Sequence, residues 1–218
     1  MKTLMKILMK DTEKAENSIK FLLKISKDTE SMSYREKRNA QNIINNSLDA
    51  ELDSYINRFI EVLTDRYPIF MQEWSIQTAA QKHHDVGRGG LKNHSIRLTK
   101  TLIKNVINMT QKVPDVFTLT FAGITHDFCK VYHYYEMDTN EYGIYDVAIK
   151  HHSKLSVEIL EQNFQLKLSP AARALILLHM SGFQNQEDMK ALTIRERIWL
   201  MNLENLRILQ LFNNADCR

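Results

Sequence analysis

The chain is poor in residues that break or staple a fold. Among its 218 residues are 6 glycines, 3 prolines and 2 cysteines. So few glycines and prolines enforce few turns, and little of the sequence alternates apolar with polar residues as a half-buried strand does. The two cysteines, Cys129 and Cys217, make no disulfide framework, so a reducing compartment fits. No apolar run is long enough to cross a bilayer. The opening MKTLMKILMKDTEK is basic, but Lys6 and Lys10 interrupt its apolar residues and no signal-peptide core forms. The reading is a cytoplasmic protein with no membrane contact. A large excess of charge is lacking too: the net charge of +3 favours anionic ligands only weakly.

What is present is ordinary for a globular protein, with 44% hydrophobic and 25% charged residues. The expected fold class is all-α. Residues 1–28 suggest one or two short amphipathic helices with Ile19, Leu22, Leu23 and Ile25 inward. Ser33-Tyr34-Arg35-Glu36 has the form of a capping box and predicts a long helix to about Asp65. Its inward face would carry Ile43, Ile44, Leu48, Leu52, Ile56, Ile60 and Leu63, spaced by threes and fours. Residues 1–75 hold no cluster of reactive side chains. They are read as a helical extension that packs on the main domain, 76–218, or on a second copy of the chain.

Tyr67-Pro68 interrupts the pattern. Half of the glycines lie in His83-His84-Asp85-Val86-Gly87-Arg88-Gly89-Gly90, where the backbone needs unusual dihedrals or a close approach. Helices are expected at 91–111, from Pro114 to near Tyr134, at 149–164, from Ser169-Pro170 through His179, and near 203–215. A loop or small hairpin is expected from Met137 to Tyr145. The aromatics Tyr132, Tyr134 and Tyr135 are read as packing anchors rather than as a base-stacking platform.

The segment AGITHDFCK places His126 and Asp127 within an otherwise apolar run. A buried carboxylate is costly unless it is paired or binds a metal. All the histidines lie between positions 83 and 179, and His94, His126, His152 and His179 fall one to each expected helix. Asp127 and Asp216 add carboxylates. Imidazole with carboxylate suits first-row divalent metals, and Mg²⁺ or Mn²⁺ fits as well. Lys130 follows Asp127 by three residues and so shares its side of a helix. Beside a metal it points to an anionic substrate, most simply a phosphate. The alternative is a surface lysine closing a helix C-terminus. No basic partner is evident for Cys129, so it is not read as a nucleophile.

In order, HHDVGRGGLKNHS, THDFCKV, KHHSKLSVEIL, LILLHMSGF and FNNAD resemble the HD-domain superfamily of metal-dependent phosphohydrolases. They are most similar to its bacterial and phage-type branch and to the HD portion of 3′–5′ exoribonucleases. The resemblance covers about residues 76–218 and implies a compact helical bundle. It implies metal ligation by His94, His126, Asp127, His152, His179 and Asp216, with Asp127 bridging if two ions bind. A shift of one residue would make His151 the ligand in place of His152. Asp127 and Lys130 would serve catalysis, and His84 and Lys130 would contact substrate. Where the family's H-x-x-K-S segment has lysine, this chain has Leu155, with Lys154 adjacent.

The cofactor implied is one or two divalent ions: Mn, Fe, Mg, Co or Ni. The activity implied is hydrolysis of a nucleotide or phosphodiester, cyclic or linear, by metal-activated water. The partner is then a nucleotide or short nucleic acid, and the long helix at 34–65 allows a homodimer through the N-terminal helices. Two other readings stand beside it: a di-iron oxygenase with the same ligand types, and a nucleotide-binding or interaction protein without catalysis.

Overall fold

The computed structural model describes residues 2–80, 85–137, 142–144, 152–180 and 186–217. Among these, ten α-helices and one two-stranded antiparallel hairpin form the fold. Helix α1 spans Lys2–Asp28 as one uninterrupted helix rather than two short ones. A 3₁₀ turn, Thr29–Ser31, leads into α2, Tyr34–Arg66. The capping box forms as expected: the Ser33 amide donates to Glu36 Oε2 at 3.0 Å. Helix α2 buries Ile44, Leu48, Leu52, Ile56, Ile60 and Leu63, with Tyr55, Phe59 and Val62 between them. Ile43 is the exception, 66% exposed, because its neighbour Ile44 takes the inward position and the two project about 100° apart.

Pro68 does not only end α2; it opens α3, Pro68–Ile76, where its missing amide costs nothing. Helix α4, Gly90–Thr110, starts after Gly89, whose φ of +82° is one that L-residues with a Cβ rarely adopt. Gly90 answers to a close approach, since a Cβ there would sit 1.8 Å from the Asp85 carbonyl oxygen. Helix α5 is Val116–Thr125, capped by the Asp115 carboxylate, which accepts from the Thr118 amide at 2.9 Å.

Strands β1, Tyr134–Glu136, and β2, Tyr142–Ile144, make the hairpin, with Tyr135 opposite Gly143. Helix α6, His152–Glu158, is shorter than the 149–164 expected among the described residues. A π turn at Ile159–Asn163 follows it, in which the Phe164 amide reaches the Ile159 carbonyl. Phe164 then stacks on Tyr67 at 3.8 Å. Helix α7, Pro170–Leu178, has Ser169 as its cap. Two short helices that the sequence pattern did not suggest follow, α8 at Gln186–Lys190 and α9 at Ile194–Leu200, before α10, Leu203–Asp216.

A single apolar cluster joins these elements. It runs from Leu8, Ala15 and Ile19 of α1 through Phe59 and Trp74 to Phe128, Leu175 and Phe212. Helix α1 packs on α2, and α4 packs between α5 and α10. Thr12 Oγ1 and Tyr55 OH share a hydrogen bond of 2.7 Å between α1 and α2. Helix α7 packs against both α5 and α6. The ends of α5, α7 and α10, the start of α6 and the first turn of α4 thus converge on one place. No helix of the described residues is long and apolar enough to cross a membrane.

Candidate metal centre

His126 and Asp127 do not lie mid-helix, as the sequence pattern suggests. Helix α5 ends at Thr125, His126 is its C-terminal cap, and Asp127 leaves helical geometry at φ −109°, ψ 22°. The cause is a contact from elsewhere in the chain. The Cys129 amide donates to Ser156 Oγ of α6 at 3.1 Å instead of continuing the α-helical ladder. A 3₁₀ turn, Phe128–Tyr132, takes over. This break turns both side chains into the space where α4, α6, α7 and α10 meet.

Each elementary piece of the site is fixed from behind. His126 Nδ1 donates to the Gly123 carbonyl at 2.9 Å, and His179 Nδ1 donates to the Ile176 carbonyl at 2.7 Å. His94 Nδ1 faces Asp85 Oδ2 at 3.3 Å. With Nδ1 engaged from behind, Nε2 is the atom each ring turns to the centre. Asp216, on the last turn of α10, puts Oδ1 2.9 Å from His94 Nε2 and 3.3 Å from His126 Nε2. Asp127 Oδ2 lies 3.2 Å from His126 Nε2. On its other side, Asp127 Oδ1 lies 3.5 Å from His179 Nε2 and 3.9 Å from His152 Nε2.

Two donor groups result, each gathering its ligand atoms within 4.8 Å: His94, His126, Asp127 and Asp216 in one, Asp127, His152 and His179 in the other. Asp127 belongs to both. His126 Nε2 and Asp127 Oδ1 are buried and have no hydrogen-bond partner. Lone pairs of carboxylates and imidazoles converging without hydrogens between them repel, and burial denies them water. A cation at each group removes that penalty, and mixed nitrogen–oxygen donors suit a first-row divalent ion. The residues present fit such a cofactor.

Protonation in the metal-free chain points the same way. Burial opposes charge on His126, yet the Asp127 and Asp216 carboxylates outweigh it and raise its pKa to about 10. Burial would raise Asp127, but the Lys130 ammonium and the His126 ring hold it well below the ordinary carboxylate range. Asp216 is likewise low, against burial, because the His126 and His94 rings lie against its carboxylate. His152 goes the other way: burial, then the charge of His179, pushes it down to about 3. A proton on His126 therefore stands where a metal would.

Lys130 is not a solvated helix cap. Its side chain is 16% exposed and its ammonium lies 2.6 Å from Asp127 Oδ2. Burial lowers its pKa, but Asp127 more than compensates and keeps it charged. Cys129 is fully buried, and burial with the Asp127 charge pushes its thiol up, which leaves it inert as a nucleophile.

The structure thus brings His94, His126, Asp127, Lys130, His152, His179 and Asp216 together. His84 and His151 lie outside the described residues. Sequence reasoning missed Asp85. Its carboxylate accepts from Arg97 Nη1 at 2.7 Å and also from Nη2, and it orients His94. The one available signal was its place beside the glycine cluster that shapes the turn.

The HD domain family model matches residues 91–199, half of the 218 residues. The chain belongs to the HD-domain family. The matched span contains His126-Asp127, and it begins one residue after Gly90. Comparison with curated proteins gives no match, and neither does comparison with solved structures.

Proposed function

We propose that this HD-domain protein is a metal-dependent phosphohydrolase that cleaves a nucleotide or another phosphodiester, cyclic or linear, by attack of water on phosphorus. The observation that carries the reading is the arrangement around Asp127: two buried donor groups share its carboxylate, and the Lys130 ammonium lies against it. His94, His126, Asp127 and Asp216 would hold one cation, and Asp127, His152 and His179 a second. A bound divalent cation supplies Lewis acidity toward a phosphoryl oxygen and lowers the pKa of a water.

The rest falls to the chain's own side chains. Lys130 offsets the Asp127 charge and has further N–H donors to offer an equatorial phosphoryl oxygen. Its amine stays charged because Asp127 holds the proton on it. Asp127 fixes the spacing between the two groups. His84, ahead of the glycine turn, is assigned a contact to the substrate.

The test is hydrolysis by the purified full chain with Mn²⁺, across mono-, tri- and cyclic nucleotides and short single strands. Asp127→Asn runs alongside, with circular dichroism to check its fold. Turnover of one substrate class, lost in the folded variant, is the expected result. Turnover unchanged in Asp127→Asn overturns the assignment of Asp127. Silence across the whole panel overturns the phosphohydrolase reading; iron content with O₂ uptake, or nucleotide binding without turnover, then decides between an oxygenase and a binding protein.

A further inference from the structure

A cavity of about 670 Å³ lies at the ends of α5 and α7 remote from His126 and His179. That size falls in the range of small-molecule sites, roughly 300–1,000 Å³. Its walls are Phe117 and Phe121 of α5 and Leu166 and Leu168 on the approach to α7, with Lys167 and Arg195 beside them. Phe117, Leu166 and Leu168 are only half-buried, so the described residues leave part of this apolar surface open.

The two cations are exposed, and neither makes an ion pair with a described residue. Nearby carboxylates are already engaged: Glu161 and Glu196 each lie 3.2 Å from Arg173. Neutral polar groups are scarce. They are Thr118 and Ser169, and the Ser169 hydroxyl oxygen already accepts from the Ala172 amide at 3.1 Å. A nucleobase or sugar, which needs several edge hydrogen bonds, would leave its polar atoms unsatisfied here. An unbranched apolar tail with one anionic head matches the walls and the charge.

We infer that this cleft binds a fatty-acid-like carboxylate, with the acyl chain between Phe117, Phe121 and Leu168 and the head group on Lys167 and Arg195. A ligand seated there rests on both helices that carry His126 and His179 at their far ends. The site is independent of the phosphohydrolase reading, since none of its residues belongs to the metal centre.

Calorimetric titration of the full chain with dodecanoate, below its micelle concentration, tests it. Dodecyltrimethylammonium supplies the same tail with the opposite charge. One saturable dodecanoate site is expected, with little or no binding of the cationic amphiphile. The pair Lys167→Ala and Arg195→Ala, both exposed and outside the core, weakens dodecanoate about tenfold, which is about 1.4 kcal/mol for the two charges together. Leu168→Glu, which places a carboxylate in the apolar wall, abolishes binding. Equal binding of the two head groups, unchanged affinity in the paired variant, or no saturable heat with dodecanoate each overturns the inference.

Discussion

The Nε2 atoms of His152 and His179 face each other across 3.1 Å. His179 Nδ1 donates to the Ile176 carbonyl, so Nε2 is the atom it turns toward His152. Burial, then the charge of His179, pushes the His152 pKa down to about 3, so one proton at most lies between the two Nε2 atoms. A divalent ion that replaced it would meet both Nε2 lone pairs and Asp127 Oδ1.

This relationship separates the two donor groups experimentally. His152→Ala removes one donor from the group with His179 and none from the group with His94 and Asp216. Equilibrium dialysis against Mn²⁺ followed by elemental analysis should show one ion fewer per chain than in the wild type. The same stoichiometry in both proteins would show that the His152 group holds no ion.

The proton on His126 sets the pH dependence of the metal-free chain. A pKa raised from 6.5 to about 10 in the folded state means the proton binds more tightly there than in the unfolded chain. Its stabilisation is complete below the unfolded value of 6.5 and disappears as the pH rises through about 10. Thermal melts of chelator-treated protein should therefore show a midpoint that falls between these limits. Mn²⁺ displaces the same proton, so its apparent affinity rises over this window. A metal-free melting temperature that is flat or rising from pH 7 to 10 would contradict the assignment.

Gly90 and Gly87 should behave differently although they sit in one turn. A Cβ on Gly90 meets the Asp85 carbonyl oxygen at 1.8 Å, a backbone atom that cannot give way without moving the turn. A Cβ on Gly87 meets nothing within 4 Å, and only its φ of +108° opposes a side chain. Gly87→Ala should cost about 1 kcal/mol and Gly90→Ala more than about 3 kcal/mol in urea unfolding. Equal costs would mean that the Gly90 approach is not part of the native turn.

Local signals wrote much of this fold plainly. Ser33 and Glu36 announce α2, and Ser169-Pro170 announces α7, because a cap is a short-range event. The donor residues were legible as types and as a resemblance. What could not be read was the break at His126-Asp127, because Ser156, 27 residues beyond Cys129, causes it. Helix α9 carried a readable signal, the box of Thr193 and Glu196, but its seven residues are too few for a helical period to stand out. Lys130 was open between a surface cap and a site cation; only the packing around Asp127 decides it.

Asp85 offers the sharpest separation between holding a fold and holding a ligand. Its backbone is left-handed at φ 53°, a conformation that asparagine adopts as readily as aspartate. Arg97, Gly87 and the turn should thus tolerate Asp85→Asn in outline. What the substitution removes is the charge behind His94 Nδ1. The Arg97 hydrogen bonds, against burial and with help from His94, hold that carboxyl below its ordinary pKa and so keep the charge in place. Loss of such a partner typically lowers metal affinity by about 10- to 100-fold. Mn²⁺ titration should show that loss while circular dichroism shows an unchanged fold. Full affinity in the folded variant would reduce Asp85 to a partner of Arg97 alone.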